Sequence, residues 1–264
     1  MKRWITFLEQ LYCRFQDDEV TALGAQMTYY LILSLFPFLI FLLTLISLTP
    51  LARDEALNLL FALIPESANQ TVMDIVEETV LSSSRSLMSV GMLAAIWTSS
   101  SGIMAVIRGI NKAYDTEEKR PFWKVRLYAV WYTLIFAFLL FLTFAMLIFG
   151  DTAVDRLAEW IPKRYLSAWH FARHAIPFSM MIVTFTLLYK QAPNYPVRLK
   201  QALPGALFST FAWIGLSLAF SYYVANFGNF ARTYGSIGGI IALLIWLYIS
   251  SIIILVGGQF NAAL

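Results

Sequence analysis

Long apolar intervals separated by clusters of charge are the dominant pattern of this chain. A bilayer core of about 30 Å is crossed by roughly 20 apolar helical residues. Five charge-free intervals meet that length: Val20 to Ala52, Ser86 to Ile107, Leu127 to Gly150, Gln201 to Ala231 and Thr233 to Leu264. A sixth, His174 to Tyr189, is short; begun near Trp169 it reaches about 21 residues, provided that Arg173 and His174 extend toward the interface. Between Thr71 and Leu81, Val72, Ile75, Val76, Thr79 and Val80 share one helical face while Asp74, Glu77 and Glu78 share the other, which predicts a helix lying on the membrane surface. Asp151 to Ile161 has the same character, with Trp160 suited to the headgroup level. The pattern predicts an all-α, polytopic membrane protein: six transmembrane helices with short amphipathic helices on the outer face.

Composition agrees, with 59% hydrophobic and 13% charged residues against about 25% charged in ordinary soluble domains. So few charges cannot coat a soluble domain of this size. The distribution of Lys and Arg then gives a direction. The N-terminal segment and alternate connections hold twelve and the opposite side seven, which places both termini in the cytoplasm. The net charge of +3 is not concentrated as a nucleic-acid interface requires, so no nucleic-acid partner is expected. The first twenty residues do not read as a removable signal peptide, and nothing repeats at a fixed period, so residues 1–264 read as one membrane domain. No oligomeric state follows from the chain.

Polar residues inside spans are costly and mark candidate sites. In the first span these are Gln26, Tyr30 and Ser34, the last two sharing a face with Pro37; helix packing is the alternative reading. In the second, Ser100 and Ser101 precede Arg108 and Asn111, and Ser101 and Arg108 share a face able to hold an anionic headgroup or substrate. Arg108 also fits a positive-inside anchor. At the far end, Asn226, Asn229, Tyr234 and Ser236 lie among glycines. There, Gly235, Gly238 and Gly239 serve either close packing or exposure of helix-start amides. Lys119, Arg120, Lys124 and Arg126 surround Pro121-Phe122-Trp123, a basic aromatic segment expected to meet membrane lipids through their anionic headgroups at the cytoplasmic face. Asp17-Asp18-Glu19 reads as a solvated charge run. His170 and His174 stand four apart without the glutamate of a metalloprotease helix, and the single Cys13 forms neither a disulfide nor a metal cluster. No cofactor and no metal are expected, and no catalytic residues are assigned.

These stretches carry a resemblance. Gln26-Met-Thr-Tyr-Tyr-Leu-Ile-Leu-Ser-Leu-Phe-Pro37, the run from Trp97 to Tyr114, Arg120-Pro-Phe-Trp, Ala202-Leu-Pro-Gly-Ala and Tyr234-Gly-Ser-Ile-Gly-Gly resemble the YihY/BrkB, or ribonuclease-BN-like, family over nearly the whole chain. The resemblance implies a bacterial inner-membrane protein of six helices. It also draws in Gln259 and Asn261, since the family ends its last span with a glutamate where this chain has Gln259. Any proton or cation role of that acid is expected to be lost here. The ribonuclease label has no chemical support in the residues, which offer two histidines and no constellation that activates water on a phosphodiester. A transporter, exporter or lipid translocase is expected, with a non-transporting structural or assembly protein as the alternative.

Overall fold

The computed structural model describes the backbone of residues 2–47, 85–158, 163–226 and 237–264. Among these residues the regular elements are all helical: α1 (Lys2–Asp17), α2 (Val20–Ser47), α3 (Arg85–Ala113), α4 (Phe122–Ala158), α5 (Lys163–Gln191), α6 (Leu199–Asn226) and α7 (Gly238–Ala263). The all-α, polytopic expectation therefore holds. Four stretches are long and apolar enough to cross a membrane: Gly91–Ala113, Phe122–Leu142, Leu199–Asn226 and Gly238–Ala263. The other two expected spans, α2 and α5, are continuous helices of 28 and 29 residues, and Val20–Leu35 forms a shorter apolar stretch within α2. Asp151–Ala158, expected within a separate surface helix, is instead the last part of α4, whose 37 residues extend about 55 Å, beyond a hydrocarbon core. The surface helix expected at 71–81 lies outside the described residues.

The helices are built for lipid. Among the described side chains of α4, residues 122–142, Val125, Arg126, Ala129, Tyr132, Thr133 and Ala137 are buried, while Leu127, Trp131, Leu134 and Phe138 are exposed. A soluble protein would bury the second set. In a bilayer, bulky apolar residues gain nothing by leaving lipid, and helix association depends on small and hydroxyl residues that admit close approach.

The contacts divide into two compact units, Met1–Leu35 with Ser99–Tyr132 and Ile182–Leu264, and Phe36–Thr98 with Thr133–Met181. In the second, Phe38 meets Phe136 at 5.7 Å and Phe41 at 6.5 Å between ring centroids. In the first, α6 and α7 pack extensively on each other. Gly205 of α6 lies against the Gly257 backbone of α7, a closeness that only glycines permit. Pro204 interrupts the hydrogen bonding of α6, and the buried Asn261 amide bonds on both sides of it, accepting from the Gly205 N–H at 2.6 Å and donating to the Ala202 carbonyl at 3.0 Å. Tyr189 of α5 joins the pair, its hydroxyl 2.7 Å from both Ser209 Oγ and the Ile254 carbonyl. Helix α1 packs on α7 through Phe7 and Phe260, 5.1 Å apart.

Asp18 departs from the solvated reading. Asp17 and Glu19 are exposed, whereas Asp18 is only 6% exposed and accepts a 2.9 Å hydrogen bond from Gln259 Nε2. The two-residue link between α1 and α2, with Glu19 at φ 48°, turns Asp18 inward against α7.

Candidate functional site

Helices α2 and α3 approach closely because α3 places Gly102 and Gly109 seven residues apart on one face. A Cβ at Gly102 would overlap Ser34 Oγ, and one at Gly109 would stand 2.8 Å from Met27 Sδ and 2.7 Å from Leu255 Cδ2. Beside this seam a groove of about 50 Å³ opens, lined by Leu23, Gln26, Met27 and Tyr30 of α2 and Ala105, Arg108 and Gly109 of α3. Three residues singled out by their polarity, Gln26, Tyr30 and Arg108, thus share one cavity. Arg108 is exposed there, five residues or about 7.5 Å before the end of α3. Among the described residues no carboxylate pairs with it. The arrangement presents a guanidinium, a carboxamide and a phenol to whatever enters, a donor-rich set matched to an anion.

The remaining candidates do not line this groove among the described residues. Ser34 donates to the Leu31 carbonyl at 2.9 Å and packs on Gly102, the packing alternative. Ser100 is fully buried. Ser101 does not serve Arg108: it accepts a 3.1 Å hydrogen bond from Arg126 Nη1. Gln259 is wholly buried and donates through Nε2 to Asp18 and to the Arg14 carbonyl at 3.0 Å, while its Oε1 has no partner among the described residues. Asn261 ties α7 to α6 as described. Asn226 is exposed at the opposite end of α6, donating to the Tyr222 carbonyl at 2.8 Å. Asn229, Tyr234 and Ser236 lie outside the described residues, as do Gly235 and the loop around it.

The cations of the basic aromatic segment divide between inward and exposed positions. Arg126 is 6% exposed and turned inward onto Ser101 and the Met104 sulfur. Arg120 is bound to Glu118, with Nε to Oε1 at 2.7 Å, and donates to the Gln191 and Ala192 carbonyls at 3.1 and 2.6 Å, closing the end of α5. Lys119 and Lys124 remain exposed beside Phe122 and Trp123, with Lys124 Nζ 5.5 Å from the Trp123 ring centroid. Arg126 was legible in retrospect. Arg126, Ala129, Thr133 and Ala137 recur at helical spacing as the small or polar stripe of α4.

Asn111 is a hub. Its Nδ2 donates to Glu118 at 2.9 Å, and its Oδ1 accepts from Thr116 Oγ1 at 3.0 Å and the Asn194 N–H at 2.7 Å. Glu118 is partly desolvated, which favours its neutral form, but hydrogen bonds from Arg120 and Asn111 and the Arg120 charge outweigh this and hold its carboxyl below the usual range. A depressed carboxyl stabilises the fold above its unfolded pKa, and the contribution is lost as pH falls through the folded value. Acidification below about pH 4 is therefore expected to raise amide hydrogen exchange at residues 116–120. The Glu118→Gln variant should lose that acid-dependent component, and an unchanged pH profile in the variant would count against the clamp.

Comparison with known proteins supplies the lineage. The family model described as "Virulence factor BrkB" matches residues 11–264. The chain is 39% identical to the ribonuclease-like protein YfkH of Bacillus subtilis over 98% of its own length and 95% of that protein's. It is 25% identical to a UPF0761 membrane protein of Mannheimia succiniciproducens over 96% of its length and 87% of the relative's. No solved structure matches the chain. With a family model covering nearly the whole chain and the polytopic helical fold in place, this protein belongs to the BrkB family of membrane proteins.

Proposed function

We propose that this protein is a transporter, exporter or lipid translocase that handles anionic amphiphiles, with Gln26, Tyr30 and Arg108 as its polar station. The observation that carries this reading is their convergence on one groove, with Arg108 unpaired by any acid among the described residues. An unneutralised cation within a span is costly and calls for a counter-ion. The groove's size favours a lipid headgroup over a free solute: about 50 Å³ cannot enclose a small molecule, for which pockets of roughly 300–1,000 Å³ are usual. A lipid needs only its headgroup there, because its tails remain in the bilayer. The setting is the bacterial inner membrane with both termini cytoplasmic, which suits the basic helix ends at residues 112–126 and 190–200.

Reconstitution into liposomes with fluorescent phosphatidylglycerol and phosphatidylcholine tests this. Transfer of the anionic lipid is expected to exceed that of the zwitterionic one, and Arg108→Ala should slow it by about tenfold or more while expression stays normal. Equal rates for wild type and variant would return Arg108 to an anchoring role. The second reading, a structural or assembly protein without transport, draws on the internal bonding of Asn111, Gln259 and Asn261. Absence of transfer for every lipid would favour it. An enzymatic role is not proposed, and metal-dependent RNA cleavage by contaminant-free protein would overturn that position.

A further inference from the structure

A second, larger cavity lies at the end of the first unit where α1 and α3 finish and α6 begins. Its volume is about 430 Å³, within the range that holds small organic ligands. Arg14, Tyr114, Thr116, Tyr195, Lys200 and Gln201 line it, and among the described residues no aspartate or glutamate side chain does. Arg14 spends only Nη1 internally, on Asp115 at 3.2 Å and the Ala113 carbonyl at 3.5 Å, which leaves Nη2 and Nε as donors. Gln201 Oε1 caps the Arg198 N–H at 3.0 Å, leaving its amide NH₂ available.

Lys200 makes the cavity's electrostatics unusual. It occupies the first turn of α6, where the helix dipole is already positive, and among the described residues no acid pairs with it or with Arg198. Two positive sources set against each other are unfavourable unless an anion joins them. Tyr114 contributes its ring to the wall, since its hydroxyl is closed to solvent. Cations and an amide around one space match the acceptor oxygens of a phosphoryl group, and Tyr195 offers a face to an organic body.

We infer that this cavity binds a phosphate-bearing ligand through Arg14, Lys200 and Gln201, separately from the Arg108 groove and whether or not the chain transports anything. The ligand's phosphate belongs either to a soluble molecule or to a lipid headgroup. Full-length protein in a neutral detergent, titrated with pyrophosphate and separately with dihexanoyl phosphatidylglycerol, distinguishes the two by the rise in unfolding midpoint. A saturable rise with pyrophosphate alone identifies a soluble ligand, and one with the lipid alone a headgroup. A competing rise with both identifies the phosphoryl group itself as the recognised feature. Lys200→Gln is expected to weaken the effective probe by roughly tenfold, while Lys190→Gln, at an exposed cation outside the cavity, leaves it unchanged. No saturable rise with either probe overturns the inference. So does a loss in Lys190→Gln equal to that in Lys200→Gln, which would mark diffuse surface attraction.

Discussion

Gly205→Ala is expected to destabilise the α6–α7 pair by about 3 kcal/mol or more, read as a lost or sharply lowered unfolding midpoint. The added Cβ would overlap the Gly257 carbonyl oxygen and the Asn261 side chain. A side chain can rotate away from such an overlap, but a backbone carbonyl within a helix moves only if the helix moves. Separation of α6 from α7 would then break the Gly205 to Asn261 hydrogen bond and leave a buried carboxamide and a buried N–H without partners. Gly215→Ala is the matched control. Among the described residues nothing lies within 4 Å of an added Cβ there, so the variant should be neutral or slightly more stable, by up to about 1 kcal/mol of helix propensity. Equal stability of the two variants would mean that the glycine contact does not hold the pair.

The second large effect concerns the buried contact between α1 and α7. Gln259→Glu places a carboxylate where the Nε2 amide now donates to Asp18 Oδ2 at 2.9 Å and to the Arg14 carbonyl at 3.0 Å. Both donations become repulsions between acceptors in a region where Gln259 has no exposure. Lys112 Nζ, 3.9 Å from Asp18 and with its side chain 55% exposed, is too distant and too solvated to offset them. A cost of about 3 kcal/mol is expected, typical of an uncompensated buried charge. Asp18→Asn in the Gln259→Glu background should recover much of it, because the asparagine amide can donate to the new carboxylate. This recovery separates a charge conflict from a packing fault. If the double variant is no more stable than Gln259→Glu alone, Asp18 does not set the preference for an amide at position 259.

The candidate site divides along a physical line. Gln26, Tyr30 and Arg108 were legible because polarity within an apolar run is costly wherever it occurs, and their groove follows from two helices meeting at glycines. Ser101 and Arg108 share a helix face, yet Ser101 bonds Arg126 of the next helix. Position on one helix gives direction; the neighbouring helix decides the partner. Asp18 was hidden for a related reason. Three consecutive acids look solvated in one dimension, and only the turn after α1 distinguishes the middle one.

By itself the sequence determined that the chain is helical and membrane-embedded, because charge-free runs of spanning length have no other stable form in lipid, where every backbone hydrogen bond must close within its own segment. Tertiary structure alone decided which polar groups are available. It consumed Asn111, Asn261 and Gln259 in holding helices together, turned Arg126 inward, and left Arg108 without an acid partner among the described residues, beside Gln26 and Tyr30. The physical reason is that a polar side chain in a low-dielectric interior takes whichever partner lies within about 3 Å, and that distance is set between helices remote in sequence.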